Sequence, residues 1–237
     1  MIQTRRITVI PDFMQMRFLS PQAAAAAAAD WWLSGGISAA NAIAAYAARG
    51  AASYAASKSN LANPGTYDLT QQGTDITWDG TNGWGANFLP SRFLKTGVTP
   101  ATDQSWSVIA LVSGGTAAYV VSVGASSTDG TSFFVGGHGG AASYWAGNGG
   151  RAIRSPGIAA GTIAVAGSDV YLDGSDDGGV ALTTWTGSAV PIHIGGAYSS
   201  STIASNVWDG YIQAIAIYDT TLTAPQVAAV SAAMAAL

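Results

Sequence analysis

From Ile76 onward the apolar residues fall into short runs: "SWSVIALVSGG", "AAYVVSVGA", "TSFFVGGHGG", "GTIAVAGSDVYLDGS", "VPIHIGGAY" and "GYIQAIAIYD". Each is bounded by Gly, Ser, Asn or Asp. Short strands at this spacing, with turn residues between them, predict an antiparallel sandwich or barrel. The alanine-rich first quarter reads differently. "LSPQAAAAAAADWWLSGG" has Ser20 to cap, Pro21 at the first helical position and Gly35–Gly36 to stop, which predicts a helix over about 21–33. In "ISAANAIAAYAARGAASYAASKSNLANPGTYDL", Gly50, the serines and the Asn63-Pro64-Gly65 turn cut the alanines into pieces. An entering strand at 42–46 and a helical turn near 51–57 are expected there. At the other end Thr223 caps, Pro225 lies in the first turn, and Val227, Val230, Met234 and Leu237 share one helical face.

The expected organisation is an attachment arm with its helix over 1–36, then one sandwich over 37–237. The arm, "MIQTRRITVIPDFMQMRFL", would leave Phe13, Met14, Met16, Phe18 and Leu19 exposed on a free monomer. It either folds back on its own domain or docks on another chain.

Composition narrows the partners. The chain has 237 residues, enough for a sizeable core, yet only 9% are charged and 30 are Gly. Its surface is therefore expected to be neutral and turn-rich, as suits a protein packed against neighbours. A net charge of −4 argues against nucleic acid, which needs clustered Lys and Arg. No apolar run reaches the eighteen or so residues of a membrane span. Cysteine is absent, so disulfides and thiolate metal sites are excluded. Arg5 and Arg6 are followed by Pro11, Asp12, Gln15 and Arg17 where the apolar part of a signal peptide would lie. Synthesis in the cytoplasm and assembly into something larger are expected.

The strongest concentration of charge is "SDVYLDGSDDGG", with Asp169, Asp173, Asp176 and Asp177. Val170 and Leu172 alternate with Tyr171 and Asp173, and Asp173-Gly174 starts a reversal. Asp tolerates left-handed geometry and Gly adopts positive φ freely, so a hairpin corner is the favoured reading. A calcium loop would need ligands at alternating positions and a distal Glu, and these carboxylates have neither. His138 and His193 are too few for a His-rich zinc site, and no cofactor is expected. His193 in "PIHIGG" lies between two inward apolar positions and is expected to point outward. His138 in "GGHGG" is either turn filler or a point where backbone approaches a partner.

The order of motifs is informative. "ITWDGTNGW", "RFLKTGV", "SWSVIALV", "DVYLDGSDDGG", "PIHIGG" and "WDGYIQAIAIYDTTLTAPQV" together resemble the concanavalin A-like lectin and glucanase superfamily in its laminin G-like branch, over roughly residues 42–237. The resemblance implies an all-β jelly roll of two curved antiparallel sheets, with ligands on the concave face or at one rim. It also implies that Trp78, Trp84, Trp106 and Trp208 fill the core or close the sandwich. The alanine-rich lead-in is similar to those of tailed-phage and prophage structural proteins carrying this fold. Hydrolases of the superfamily use two Glu and an Asp on one strand, but all 13 acidic residues here are Asp. No catalytic residue and no enzyme activity are expected.

An aromatic face flanked by polar groups is what a pyranose requires. "HGGAASYWAGNGGRAIR" supplies that mix, with Tyr144, Trp145, Asn148 and Arg151 on a glycine-rich hairpin and His138 beside them. Exposed aromatics mark protein contacts as well. The expectation is a non-enzymatic virion protein of a phage, as capsid decoration or tail component. It would be anchored to other virion proteins by its arm, oligomeric in the assembly, and able to bind a host-surface glycan. A secreted or cell-surface bacterial carbohydrate-binding module is the alternative, and a degenerate glycosidase the third.

Overall fold

The computed structural model describes residues 30–85, 88–89, 91–100, 105–115, 118–123, 133–138, 141–146, 150–154, 160–177, 190–199 and 202–237. Most of the arm and the alanines preceding Asp30 lie outside the described residues. The strands are β1 (Ala42–Ala47), β2 (Thr70–Gln72), β3 (Trp78–Asp79), β4 (Gly83–Trp84), β5 (Phe93–Lys95), β6 (Ser107–Ser113), β7 (Ala118–Val123), β8 (Phe133–His138) and β9 (Ala141–Ala146). They continue as β10 (Gly150–Arg154), β11 (Ala160–Ala166), β12 (Asp169–Leu172), β13 (Ser175–Asp176), β14 (His193–Ile194), β15 (Gly196–Ser199), β16 (Thr202–Val207) and β17 (Tyr211–Tyr218). Two α-helices are described, α1 (Tyr54–Ser57) and α2 (Ala224–Ala235).

These strands form the expected sandwich. The first sheet runs β13-β12-β11-β6-β17, and β17 then pairs β1 along Ala214–Tyr218 and β4 at Ile212, with β3 beyond β4. The second runs β10-β9-β8-β7-β14-β5-β2, with β15 and β16 attached beside β7. Pairing is antiparallel except for one parallel contact, Val207 with Tyr119.

Alternation explains the core. Val108, Ala110 and Val112 of β6 and Ile163 and Val165 of β11 point between the sheets, where they join Leu94, Val121, Val135, Tyr144 and Ile194 of the second sheet. The intervening residues Ile109, Leu111, Ala164 and Ala166 belong to a second cluster. That cluster is closed by Val227, Val230 and Met234 of α2 and by Trp31 and Trp32. The first sheet is thus buried on both faces. In β17 the large residues Ile215 and Ile217 face the sandwich and the small Ala214 and Ala216 face the second cluster. The pairing with β6 shifts between Ile212 and Ala214, leaving Gln213 as the extra residue of a bulge that resets which side chains face inward.

The helix at the C-terminus starts as its sequence predicts. The Thr223 amide donates to Gln226 Oε1 at 3.0 Å, and Pro225 occupies the first turn. Burying Val227, Val230 and Met234 completely contributes about 1.5–3 kcal/mol each.

The N-terminal expectation needs correction where it can be compared. Trp31–Leu33 is a 3-10 turn, not the end of a regular helix. Trp31 and Trp32 meet edge to face at 5.6 Å and are buried against the first sheet, with Tyr218 Oη donating to the Trp32 carbonyl at 2.8 Å. Two indoles remove more apolar area from water on that sheet than an extending arm could, so the sandwich already includes residues 31–32.

Candidate functional site

The second sheet positions the side chains of interest through its register. One row pairs Gln71, Leu94, Ile194, Val121, Val135, Tyr144 and Ala152 in turn. Leu94, Ile194, Val121, Val135 and Tyr144 of that row all lie in the inter-sheet core. The adjacent row pairs Thr70, Lys95, His193, Ser122, Phe134, Trp145 and Arg151. By strand alternation Lys95, His193 and Ser122 of this second row occupy the face turned away from the first sheet.

Five residues were expected to form a ligand patch, and the structure describes the side chain of one of them, Tyr144. Tyr144 is fully buried between the sheets, and its hydroxyl donates to the Tyr171 carbonyl at 2.9 Å. It is a core residue and cannot stack on a ligand. Trp145 and Arg151 are directly paired between β9 and β10, and His138, paired with Ala141, ends β8. The side chains of His138, Trp145 and Arg151, and Asn148 entirely, lie outside the described residues.

His193 has the orientation expected of it but not the exposure. Ile192 and Ile194 enter the core, so His193 is turned to the outer face, yet it is only 1% exposed. Its ring lies 5.1 Å from that of Phe93, itself buried, while Lys95 Nζ lies 5.4 Å from the Phe93 ring. Burial, and next the Lys95 ammonium, hold the His193 imidazole down at about 4. A neutral imidazole in this position packs as an aromatic. Next to it, Ser122 Oγ donates to the Gly196 carbonyl at 2.5 Å, anchoring β15 over β7. The centre of the outer row is therefore covered, and Trp145 and Arg151 occupy positions two and three strands beyond β7.

The acidic cluster resolves into a hairpin. Asp173 (φ 50°) and Gly174 (φ 75°) both adopt left-handed backbone between the paired residues Leu172 and Ser175. Asp173 Oδ1 accepts the Thr162 amide at 2.9 Å, and the Asp173 amide donates to the Thr162 carbonyl at 2.8 Å. Among the described residues no three His, Cys, Asp or Glu side chains gather in a metal-like group.

A different aromatic surface flanks β2 and β3. The Tyr54 and Trp78 rings are tilted at 44° with centroids 6.5 Å apart, and both are half-buried. Trp78 Nε1 donates to the Ala48 carbonyl at 2.8 Å, and the Tyr54 hydroxyl donates to Gln71 Oε1. Gln71 Nε2 in turn donates to Asp75 Oδ1 at 3.1 Å, and Lys58 Nζ lies 4.4 Å above the Tyr54 ring. Trp84, Trp106 and Trp208 are core residues as the motifs implied, but Trp78 is not buried with them.

No family model matches the chain, and no curated protein is recognisably similar to it in sequence. Solved structures share its fold, which is that of the lectin-like β-sandwiches. Domain 4 of an extracellular arabinanase from Geobacillus stearothermophilus, in complex with arabinotriose, superposes with a TM-score of 0.53 at 18% identity, over 81% of this chain and 98% of that one. The receptor-binding domain of botulinum neurotoxin type G gives 0.55 at 14% identity, over 79% and 50%. A Trypanosoma rangeli sialidase mutant gives 0.54 at 12%, over 83% and 34%. This chain spans about a third of the sialidase and half of the neurotoxin domain, so what is shared is the sandwich.

Proposed function

We propose that this chain is a lectin-like binding domain without enzymatic activity, that it recognises glycans, and that it is displayed on a phage particle. What supports the recognition surface is the register that pairs Trp145 of β9 with Arg151 of β10. An indole offers the apolar side of a sugar ring a flat partner, and a guanidinium offers it fixed donors. The arabinotriose bound to the arabinanase domain is consistent with sugar recognition by a sandwich of this shape.

The test is one substitution read two ways. Trp145→Ala should weaken binding on a glycan array by about 1–3 kcal/mol, the loss of one hot-spot aromatic, while the melting temperature holds. A melting loss with unchanged binding would make Trp145 a packing residue and remove this face from the reading.

The phage setting draws its support from the alanine-rich lead-in. Deleting residues 1–20 should leave the sandwich folded and abolish incorporation into the particle. Normal incorporation of the truncated chain sinks the anchoring role.

A further inference from the structure

The loop joining β1 to β2 is held with unusual firmness. Asn60 is fully buried, its Oδ1 accepting the amides of Ala45 at 3.0 Å and Ala62 at 3.1 Å and its Nδ2 donating to the carbonyls of Ile43 at 3.0 Å and Thr66 at 2.8 Å. Asn63 Nδ2 donates to the Ala42 and Ile43 carbonyls at 2.9 Å. The Leu69 amide closes the loop on the Lys58 carbonyl at 2.8 Å. These bonds hold Tyr67 at φ 61°, and the buried Tyr46 hydroxyl fastens its carbonyl at 2.6 Å.

A tyrosine at that φ is strained, and a glycine would adopt it freely. Core packing does not explain the choice, because Tyr67 is 44% exposed. Its ring lies against Gly97. From Tyr67 the chain runs directly through Leu69 to Gln71, a reach of at most about 14 Å. Gln71 is the residue that fastens Tyr54 beside Trp78. Lys58, Leu69 and Gln71 thus connect the exposed ring to the tilted aromatic pair.

We infer that Tyr67, Tyr54 and Trp78, rimmed by Lys58, Gln71 and Asp75, form a second glycan site that takes a neutral oligosaccharide along this edge. The rings are oriented in advance by backbone and amide hydrogen bonds, so little ordering remains to oppose binding. The Asp75 carboxylate and the Lys58 ammonium present the acceptor and donor that sugar hydroxyls need. An oligosaccharide is indicated over a single ring because Tyr67 stands four residues before Gln71, the residue that fastens the Tyr54–Trp78 pair. The ligand class rests on the lectin reading above, while the site is independent of the Trp145 face.

The experiment compares Tyr67→Gly, Trp78→Ala and Trp145→Ala with the unaltered chain on an array of neutral oligosaccharides, followed by titration of the best ligand. Tyr67→Gly and Trp78→Ala should each reduce affinity at least tenfold, and Tyr67→Gly should melt no lower than the unaltered chain because it relieves the backbone. Trp145→Ala should leave binding at this edge intact. If binding disappears only in Trp145→Ala, or if Tyr67→Gly lowers melting and leaves affinity unchanged, the second site is refuted and glycan recognition stands. If the unaltered chain binds none of the array, both fail together.

Discussion

Asp173 and Thr162 are bonded twice, carboxylate to amide at 2.9 Å and amide to carbonyl at 2.8 Å, so the tip of one hairpin is tied to the strand preceding it. The carboxylate fastens β12 to β11 at the position where the backbone must also turn left-handed. Asp173→Ala should therefore lose both a hydrogen bond to a charged acceptor and a residue tolerant of positive φ, at a cost of about 1–3 kcal/mol. Asp173→Asn keeps the carbonyl oxygen and the tolerance, and should recover most of it. Urea titration of the two variants checks the order. In the same experiment calcium and chelator should leave both midpoints unchanged; a calcium-dependent rise lost in Asp173→Ala would reassign the turn as a metal site.

His193 should make stability depend on pH over one window. Its folded value of about 4 lies below the ordinary 6.5, so between these the unfolded chain holds a proton that the native chain does not. The contribution is complete above pH 6.5 and is lost as pH falls toward 4, by about 3 kcal/mol at most. His193→Gln should flatten the melting temperature across that window relative to the unaltered protein. Identical slopes for the two would show that other groups carry the acid sensitivity.

Ser231 of α2 is 4% exposed and Thr162 of β11 is 3% exposed, and neither hydroxyl oxygen has a hydrogen-bond partner among the described residues. An unsatisfied buried hydroxyl opposes folding. Ser231→Ala should thus be neutral or stabilising by up to about 1 kcal/mol, unusual for a buried site. A loss of 1 kcal/mol or more in chemical denaturation would mean that the hydroxyl is bonded after all.

A methyl group at residue 115 would overlap the indole of Trp208, whose Nε1 donates to the Tyr211 carbonyl at 3.3 Å. The ring cannot retreat without leaving the core, so Gly115→Ala should cost about 1–3 kcal/mol by overpacking. Alanine at Gly114, whose neighbourhood is open, should suffer only from its φ of 75°. Thermal melts of the pair separate crowding from backbone strain.

Ala164 and Ala166 of β11 are small on the face of the first sheet that α2 covers. Ala164→Leu should lift the helix and destabilise by about 1–3 kcal/mol. Protection of the α2 amides from hydrogen exchange should fall further than that of β6, whose contacts on the other face remain. Equal losses in both elements would mean that the helix and sheet open as one unit.

What the sequence determined by itself was local. Alternating runs and turn residues specify strands and their ends, Asp173-Gly174 specifies a corner, and Thr223, Pro225 and Gln226 specify the start of α2, because each is set by neighbours a few residues away. What only the tertiary structure decided was which face each strand buries and what covers it. Tyr144 and Trp145 are adjacent and chemically alike, and pairing with β8 and β10 alone assigns the first to the core. His193 is turned outward as its flanking isoleucines require, but its burial depends on contacts formed across the second sheet. Trp31 and Trp32 follow a helix-forming alanine run and yet end in a 3-10 turn, since docking two indoles on the first sheet outweighs the small propensity of a helix's last turn. The rigid presentation of Tyr67 was equally invisible, because it depends on Asn60 and Tyr46 reaching it from distant points in the chain.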